Sequence, residues 1–218
     1  MAGTFDDRED AGRRLAGALA VRLNDEVVVL GLPRGGAIVA GAFARALGNR
    51  LDVYVVRKLR APSNPEFAIG AVAEDGSPYL DRALVDSMNV SEEYLAREEA
   101  SQRTEIRRQM SVYRGTRPLV PVKGLAVAIV DDGIATGSTV QAAVLGVRTH
   151  DPARIIVVTP VASPAAIARL RTQADEVLTI LAPADFWAVG EYYHRFDQVA
   201  DDEVASMLQA ADEPWPGG

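Results

Sequence analysis

Between Gly124 and Thr139 the chain reads Gly-Leu-Ala-Val-Ala-Ile-Val-Asp-Asp-Gly-Ile-Ala-Thr-Gly-Ser-Thr, and no other stretch limits the choice of fold as much. Leu125 to Val130 is an unbroken apolar run rich in Val, Ala and Ile, bounded by turn signals. Such a run predicts a strand buried on both faces, as in a parallel sheet. Two adjacent carboxylates, Asp131 and Asp132, stand at its end, and small residues then lead into a helical pattern that opens near Gly137. A strand, a loop of small and hydroxyl residues and a helix start together make a seat for phosphate, because the unpaired N–H groups of the first turn face the anion. Thr136, Ser138 and Thr139 add hydroxyl donors, and Gly137 lets the backbone come close.

The same alternation recurs along the chain. Phe5 to Leu23 reads as an amphipathic helix capped by Asp6 or Asp7, and Val27 to Leu32 as a second buried strand. That strand ends at Pro33-Arg34-Gly35-Gly36, and helical spacing returns from Ala37 to Leu47. This is a second strand–glycine loop–helix junction, although neither G-x-G-x-x-G nor the Walker pattern is present. Leu51 to Val56 predicts the next strand, with Arg57 and Lys58 at its end and an irregular, mobile loop over Leu59 to Asn64, where prolines and small residues gather. A strand from Glu66 to Glu74 and a turn at Asp75-Gly76 follow. Ser91 caps a long charged helix reaching about Tyr113, whose thin apolar stripe predicts a solvated helix packed on the core. Further strands are predicted at Ile155–Thr159 and Val177–Leu181, with a helix from Pro164 to Thr172 between them, and the tail after Asp212 is expected to be loose. Alternating strands and helices predict an α/β fold with right-handed crossovers.

Composition narrows the chemistry. Cysteine is absent, which excludes disulfides, zinc–thiolate sites and thiol catalysis. A formal net charge of −7 argues against a nucleic-acid-binding surface. No apolar stretch approaches a membrane span, and the N-terminal residues lack a signal-peptide layout, so a cytoplasmic location without membrane contact is expected. The chain of 218 residues is expected to form one domain, with a core over about 24–182, a helical insertion over about 81–115 and a C-terminal hood over 183–200. Five aromatic residues fall within 186–196 and would either stack on a flat heterocycle or form a satellite core beneath the C-terminal helix, the second reading being preferred. His194 there reads as structural, and His150 as a helix C-terminal cap. In an open parallel sheet ligands bind at the carboxyl ends of the strands, where Pro33–Gly36, Arg57-Lys58 and Asp131–Thr139 are all expected to meet.

The string Val-Asp-Asp-Gly-Ile-Ala-Thr-Gly-Ser-Thr resembles the phosphoribosyl-pyrophosphate (PRPP) motif of type I phosphoribosyltransferases. The resemblance covers roughly Val27 to Leu181 and implies that family's open, mainly parallel sheet flanked by helices. It implies that Asp131 and Asp132 approach the ribose hydroxyls and Mg²⁺, the ion being bound mainly through PRPP. It implies that Ala135, Thr136, Gly137, Ser138 and Thr139 hold the 5′-phosphate. Arg34, Gly35 and Gly36 are similar to the pyrophosphate loop, where a peptide that is often cis turns N–H groups toward the diphosphate. Arg57 and Lys58 resemble the supporting basic pair. The implied activity belongs to nucleotide metabolism: transfer of the phosphoribosyl group from PRPP to a small-molecule, nitrogenous acceptor with release of pyrophosphate. By analogy a homodimer is the implied assembly. Purine-salvage members carry an Asp where Ala135 stands, so a hypoxanthine–guanine role is not expected; Glu66 or Glu74 are the substitutes the sequence offers. Two other readings stay open: a non-catalytic PRPP sensor, and, set low, a phospho-receiver in which Asp131 or Asp132 accepts phosphate.

Overall fold

A computed structural model describes residues 4–19, 27–62 and 64–212. Ala20 to Glu26, Ser63, and Glu213 to Gly218 lie outside the described residues, and so do the end of the first predicted helix, at Leu23, and the loose tail. Nothing is described of the Glu66 side chain either.

Five strands make one parallel sheet: β1 (Val27–Gly31), β2 (Arg50–Val53), β6 (Ala126–Val130), β7 (Arg154–Val161) and β8 (Glu176–Leu181). Their order across the sheet is β2-β1-β6-β7-β8. All five residues of β1 are buried, which is what an apolar run without alternation demands. Val27 and Val29 face α1 (Arg8–Leu19) and α2 (Gly35–Leu47), packing with Leu15, Val39 and Phe43. Val28 and Leu30 face the opposite side, where α5 (Ser138–Arg148) and α6 (Pro164–Leu170) contribute Val140, Val144 and Leu170. Each such side chain contributes about 1.5–3 kcal/mol when fully buried.

From β1 the chain moves outward to β2 and later returns to β6 on β1's other side. The strand order therefore reverses at the β1–β6 pair, the place where open α/β sheets leave a crevice. Register aligns the two carboxyl ends, with Gly31 opposite Val130. Leu32 N donates to Val130 O at 2.9 Å, so Pro33–Gly36 and Asp131–Thr139 leave the sheet side by side.

The basic pair is placed differently from the sequence expectation. The strand predicted over Leu51–Val56 stops at Val53, and Arg57 and Lys58 lie on β3 (Val56–Ala61) of a second, antiparallel sheet. The partner strand β1 ends at Gly31, whose carbonyl still accepts from Tyr54 N at 3.0 Å, and Glu74 Oε2 then accepts from Val55 N at 2.7 Å. Arg114, buried nearby, pairs with Glu74 and reaches Asp52 Oδ2 at 4.0 Å. Within the stretch expected as an irregular loop, Leu59–Ala61 form the end of β3 and Asn64 the start of β4 (Asn64–Ala73), paired from Val56–Ala73 out to Ala61–Asn64 with register shifts around Arg60. β5 (Pro78–Leu80) completes this sheet.

Asp81 caps the short α3 (Arg82–Ser87). Ser91 caps α4 (Glu92–Arg114), as its sequence predicts. Leu95, Ile106 and Tyr113 form the buried stripe of α4, packing with Ile69, Val204 and Leu208. Val204 and Leu208 belong to α7 (Asp201–Asp212), held to α4 by a 2.5 Å hydrogen bond from the Tyr113 hydroxyl to Asp201 Oδ1. No helix among the described residues is long and apolar enough to cross a membrane.

Candidate active site

Two glycine-containing loops meet over the β1–β6 crevice. In the first, the Pro33–Arg34 peptide is cis and α2 begins directly at Gly35. A Cβ on Gly36 would lie 2.8 Å from both Cα and Oδ1 of Asp131, and one on Gly35 would fall 1.9 Å from Asp132 Oδ2. Only glycine lets this loop pack against the two acids. In the second loop, Ile134 N donates to Val161 O at 2.9 Å, and Ser163 Oγ donates to Ala135 O at 2.7 Å. These bonds anchor the loop on β7 and the turn before α6. Gly137 then adopts φ 84°, which glycine tolerates without a Cβ penalty, and α5 starts at Ser138. The first-turn N–H groups of α5 have no intrahelical acceptor and open toward the cleft. The Thr136 and Ser138 hydroxyls lie 3.5 Å apart.

A cleft of about 510 Å³ joins these loops to the second sheet. It is lined by Arg34, Gly35, Arg57, Lys58, Asp131 and Asp132, by Ala135, Thr136, Gly137 and Thr139, and also by Arg60, Val189 and Phe196. Gly36 and Ser138, both predicted site residues, are buried beside it: Gly36 under Asp131, and Ser138 at the start of α5.

The cations differ in their freedom. Lys58 and Arg34 make no ion pair among the described residues. Arg57 Nε donates to Gln102 Oε1 at 3.1 Å, and burial holds its guanidinium below the ordinary value, with Arg60 and Arg34 adding to the effect. A basic wall thus faces the two acids.

The acids themselves are unequal. Burial, followed by the charge of Asp132, pushes the Asp131 carboxyl well above the ordinary range. Its Oδ1 accepts from Asp132 N at 2.9 Å. Burial likewise raises Asp132, opposed first by its hydrogen bond from Arg8, whose Nε lies 2.8 Å from Asp132 Oδ2. Tyr193 donates its hydroxyl to Asp132 O at 2.5 Å.

The aromatic segment divides between the two roles foreseen for it. Tyr193 is buried with Phe5 and Ala11, a satellite core that lies under α1 rather than under the C-terminal helix. Phe196 and Val189 face the cleft, and Val189 is so near that a Cβ on Gly133 would lie 2.3 Å from its Cγ1. Trp187 is 82% exposed. His194 is structural, its Nε2 lying 3.1 Å from Thr4 Oγ1. The α5 C-cap is Thr149 and not His150. Glu74 is occupied by Arg114 and Val55 N and does not line the cleft.

Sequence reading missed Arg8 and Arg60, and flagged Tyr193 only as part of the aromatic cluster. Arg60 carries a faint signal as the next cation after Arg57 and Lys58. Nothing in the sequence links Arg8 or Tyr193 to Asp132, since long-range packing alone brings them there.

Comparison with known proteins agrees with this layout. TT1426 from Thermus thermophilus is 47% identical and superimposes with a TM-score of 0.80, covering 95% of this chain and 98% of that one. A hypothetical protein from Neisseria gonorrhoeae with bound ppGpp shares the fold alone, at 15% identity and a TM-score of 0.51 over 95% of this chain and 94% of that one. Two Mycobacterium tuberculosis proteins, Rv0571c of strain H37Rv and MT0597 of strain CDC 1551, carry the provisional name phosphoribosyl transferase and are 43% identical over 207 residues. That match takes in 95% of this chain but 47% of each relative, so the chain spans about half their length. The model of the phosphoribosyl transferase domain matches residues 5–196, both glycine-containing loops and the segments that close over them, and the chain belongs to the phosphoribosyl transferase domain family.

Proposed function

We propose that this cleft binds PRPP and transfers its phosphoribosyl group to a nitrogenous acceptor. The observation that carries the reading is the meeting, in one cleft of about 510 Å³, of two backbone anion seats, a basic wall and a carboxylate pair. That inventory suits a ligand with phosphate at one end, diphosphate at the other and a diol between. The α5 N-terminus with Thr136 and Thr139 receives the 5′-phosphate. The Arg34–Gly35 turn, Lys58 and Arg57 receive the pyrophosphate. The acid pair faces the ribose hydroxyls.

In the reaction the bond from C1′ to the pyrophosphate oxygen breaks, and the oxygen leaves with the electron pair. A bond from C1′ to the acceptor nitrogen forms, and that nitrogen loses its proton to solvent water. Negative charge grows on the departing group where Lys58 and Arg34 line the cleft, so their attraction is greatest in the transition state. The two loops hold the ribose between leaving group and acceptor, which contributes through positioning.

The donor set fits Mg²⁺ arriving with its substrate. Among the described residues no group of three or more His, Cys, Asp or Glu is arranged as a metal cage, whereas two carboxylates face a phosphate seat. Mg²⁺ characteristically takes one or two carboxylates together with substrate phosphates and water. When bound it would neutralise pyrophosphate charge, and Asp131 and Asp132 are the residues to hold it.

At the acceptor end the wall consists of Ile134, Ala135, Val189 and Phe196, with no ionisable side chain among them. This composition favours a flat acceptor that needs no side-chain base. Calorimetric titration of PRPP with and without Mg²⁺, followed by an acceptor screen monitored by pyrophosphate release, tests the assignment. Mg²⁺-dependent binding with turnover supports it. Absence of PRPP binding ends it.

A further inference from the structure

We propose that Arg8 is a positioning residue for this site: by holding Asp132 it leaves Asp131 as the carboxylate that meets the ribose diol and its cation. The inference rests on the PRPP reading above and goes further by dividing the labour between two adjacent acids.

Arg8 lies in the first turn of α1, far in sequence from either glycine-containing loop. Its guanidinium is fixed on three sides. Nε donates to Asp132 Oδ2 at 2.8 Å, Nη1 donates to Asp197 O at 2.7 Å, and Cζ sits 3.9 Å from the centre of the Phe196 ring. The side chains of Arg8 and Asp132 are only 12% and 16% exposed, so water screens the pair weakly. The backbone carrying Arg8 is equally constrained. Phe5 pairs with Tyr193 in a parallel bridge, and Arg195 N donates to Asp6 O at 3.0 Å.

Asp132 is therefore gripped twice, at its carboxylate by Arg8 and at its carbonyl by Tyr193. Asp131 is not. One of its oxygens accepts from an amide, and Oδ2 has no hydrogen-bond partner among the described residues. Two adjacent buried carboxylates repel each other, and each needs a positive partner. Arg8 supplies one in direct contact to Asp132, whereas Asp131, facing the cleft, has only the longer-range charges of Lys58 and Arg8 and no hydrogen-bonded cation. A cation brought in with the substrate finds its partner there. Arg8 touches no part of the reacting ligand and acts through Asp132.

Titration of Mg²⁺–PRPP and, separately, of Mg²⁺–pyrophosphate into wild type, Arg8→Gln, Arg8→Lys, Asp132→Asn and the Arg8→Gln/Asp132→Asn double variant tests this. Loss of one charge-assisted hydrogen bond predicts about tenfold weaker PRPP binding in Arg8→Gln. Pyrophosphate, which needs only the basic wall, stays within about twofold of wild type, and Arg8→Lys recovers most of the loss. The double variant is no weaker than the poorer single variant, because both changes remove one interaction. Equal weakening of both ligands would mark Arg8 as a general brace and overturn the inference, as would additive losses or wild-type PRPP affinity in Arg8→Gln. A wild-type protein that binds neither ligand overturns the PRPP reading itself. A wild type that binds PRPP beside an unaffected Arg8→Gln variant overturns only the role of Arg8.

Discussion

Gly35 and Asp132 touch so closely that a Cβ on the glycine would lie 1.9 Å from the carboxylate's Oδ2 and 2.7 Å from Arg8 Nε. The first glycine-containing loop thus packs directly against Asp132. Gly35→Ala forces Asp132 or the loop to move, and PRPP affinity is expected to fall at least about tenfold while the fold survives. Calorimetry and far-UV circular dichroism check this. Gly17→Ala, where nothing lies within 4 Å of the added carbon, is the control and is expected to stabilise α1 by roughly 0.5–1 kcal/mol.

Asp131 sets function against stability. Its pKa is raised in the folded protein, so the folded state favours the protonated form. The charge costs little below the ordinary carboxylate pKa, and the cost grows as pH rises until it is complete above the raised folded value. Asp131→Asn removes that cost at neutral and alkaline pH. The ligand-free variant is expected to melt higher than wild type near pH 8, by on the order of 2–4 °C per kcal/mol relieved, with the gap closing toward pH 4. The same variant loses Mg²⁺-dependent PRPP binding. Melting curves across pH, with and without ligand, read both effects.

Lys58 and Arg34 make no ion pair within 4 Å among the described residues, and Lys58 acts on Asp131 and Asp132 only at longer range. Lys58→Ala or Arg34→Ala is expected to weaken pyrophosphate binding by about 10–100-fold, the range of a charge-assisted hydrogen bond lost. The wild-type affinity falls as salt rises, and each variant shows a shallower dependence. Lys123, an exposed lysine 3.5 Å from Asp151, serves as the control position.

Arg114 holds the two sheets in register. It pairs with Glu74 and lies 4.0 Å from Asp52, whose carboxylate is fully buried. Arg114→Met leaves Glu74 without its cation and Asp52 with Arg117 alone, and is expected to cost about 3–5 kcal/mol, measured as a lower urea midpoint. Adding Glu74→Gln to it recovers part of the loss, because burial already raises the Glu74 pKa and opposes its charge.

What could be read directly from the chain followed from local rules. Unbroken apolar runs gave β1, β6, β7 and β8, and the order of strand, loop and helix located both glycine-containing loops. Ser91 announced α4 through its capping chemistry. What escaped was set by contacts between distant residues. Val53 to Val56 carries no breaker, and the strand ends there because its partner β1 ends at Gly31 and Val55 N turns to Glu74. Leu59–Ala61 and Asn64 look irregular by composition yet pair in an antiparallel ladder, with register shifts around Arg60, because strand pairing overrides propensity. Arg8 and Tyr193 reach Asp132 from opposite ends of the matched segment, and no spacing rule links positions so far apart.

The Phe5–Tyr193 bridge also imposes an order on biosynthesis. A nascent chain can close the parallel sheet once β8 has emerged, yet Arg8 still lacks both the aromatic platform of Phe196 and the carbonyl of Asp197. The segment that leaves the ribosome after the sheet adds Val189 and Phe196, the last walls of the cleft.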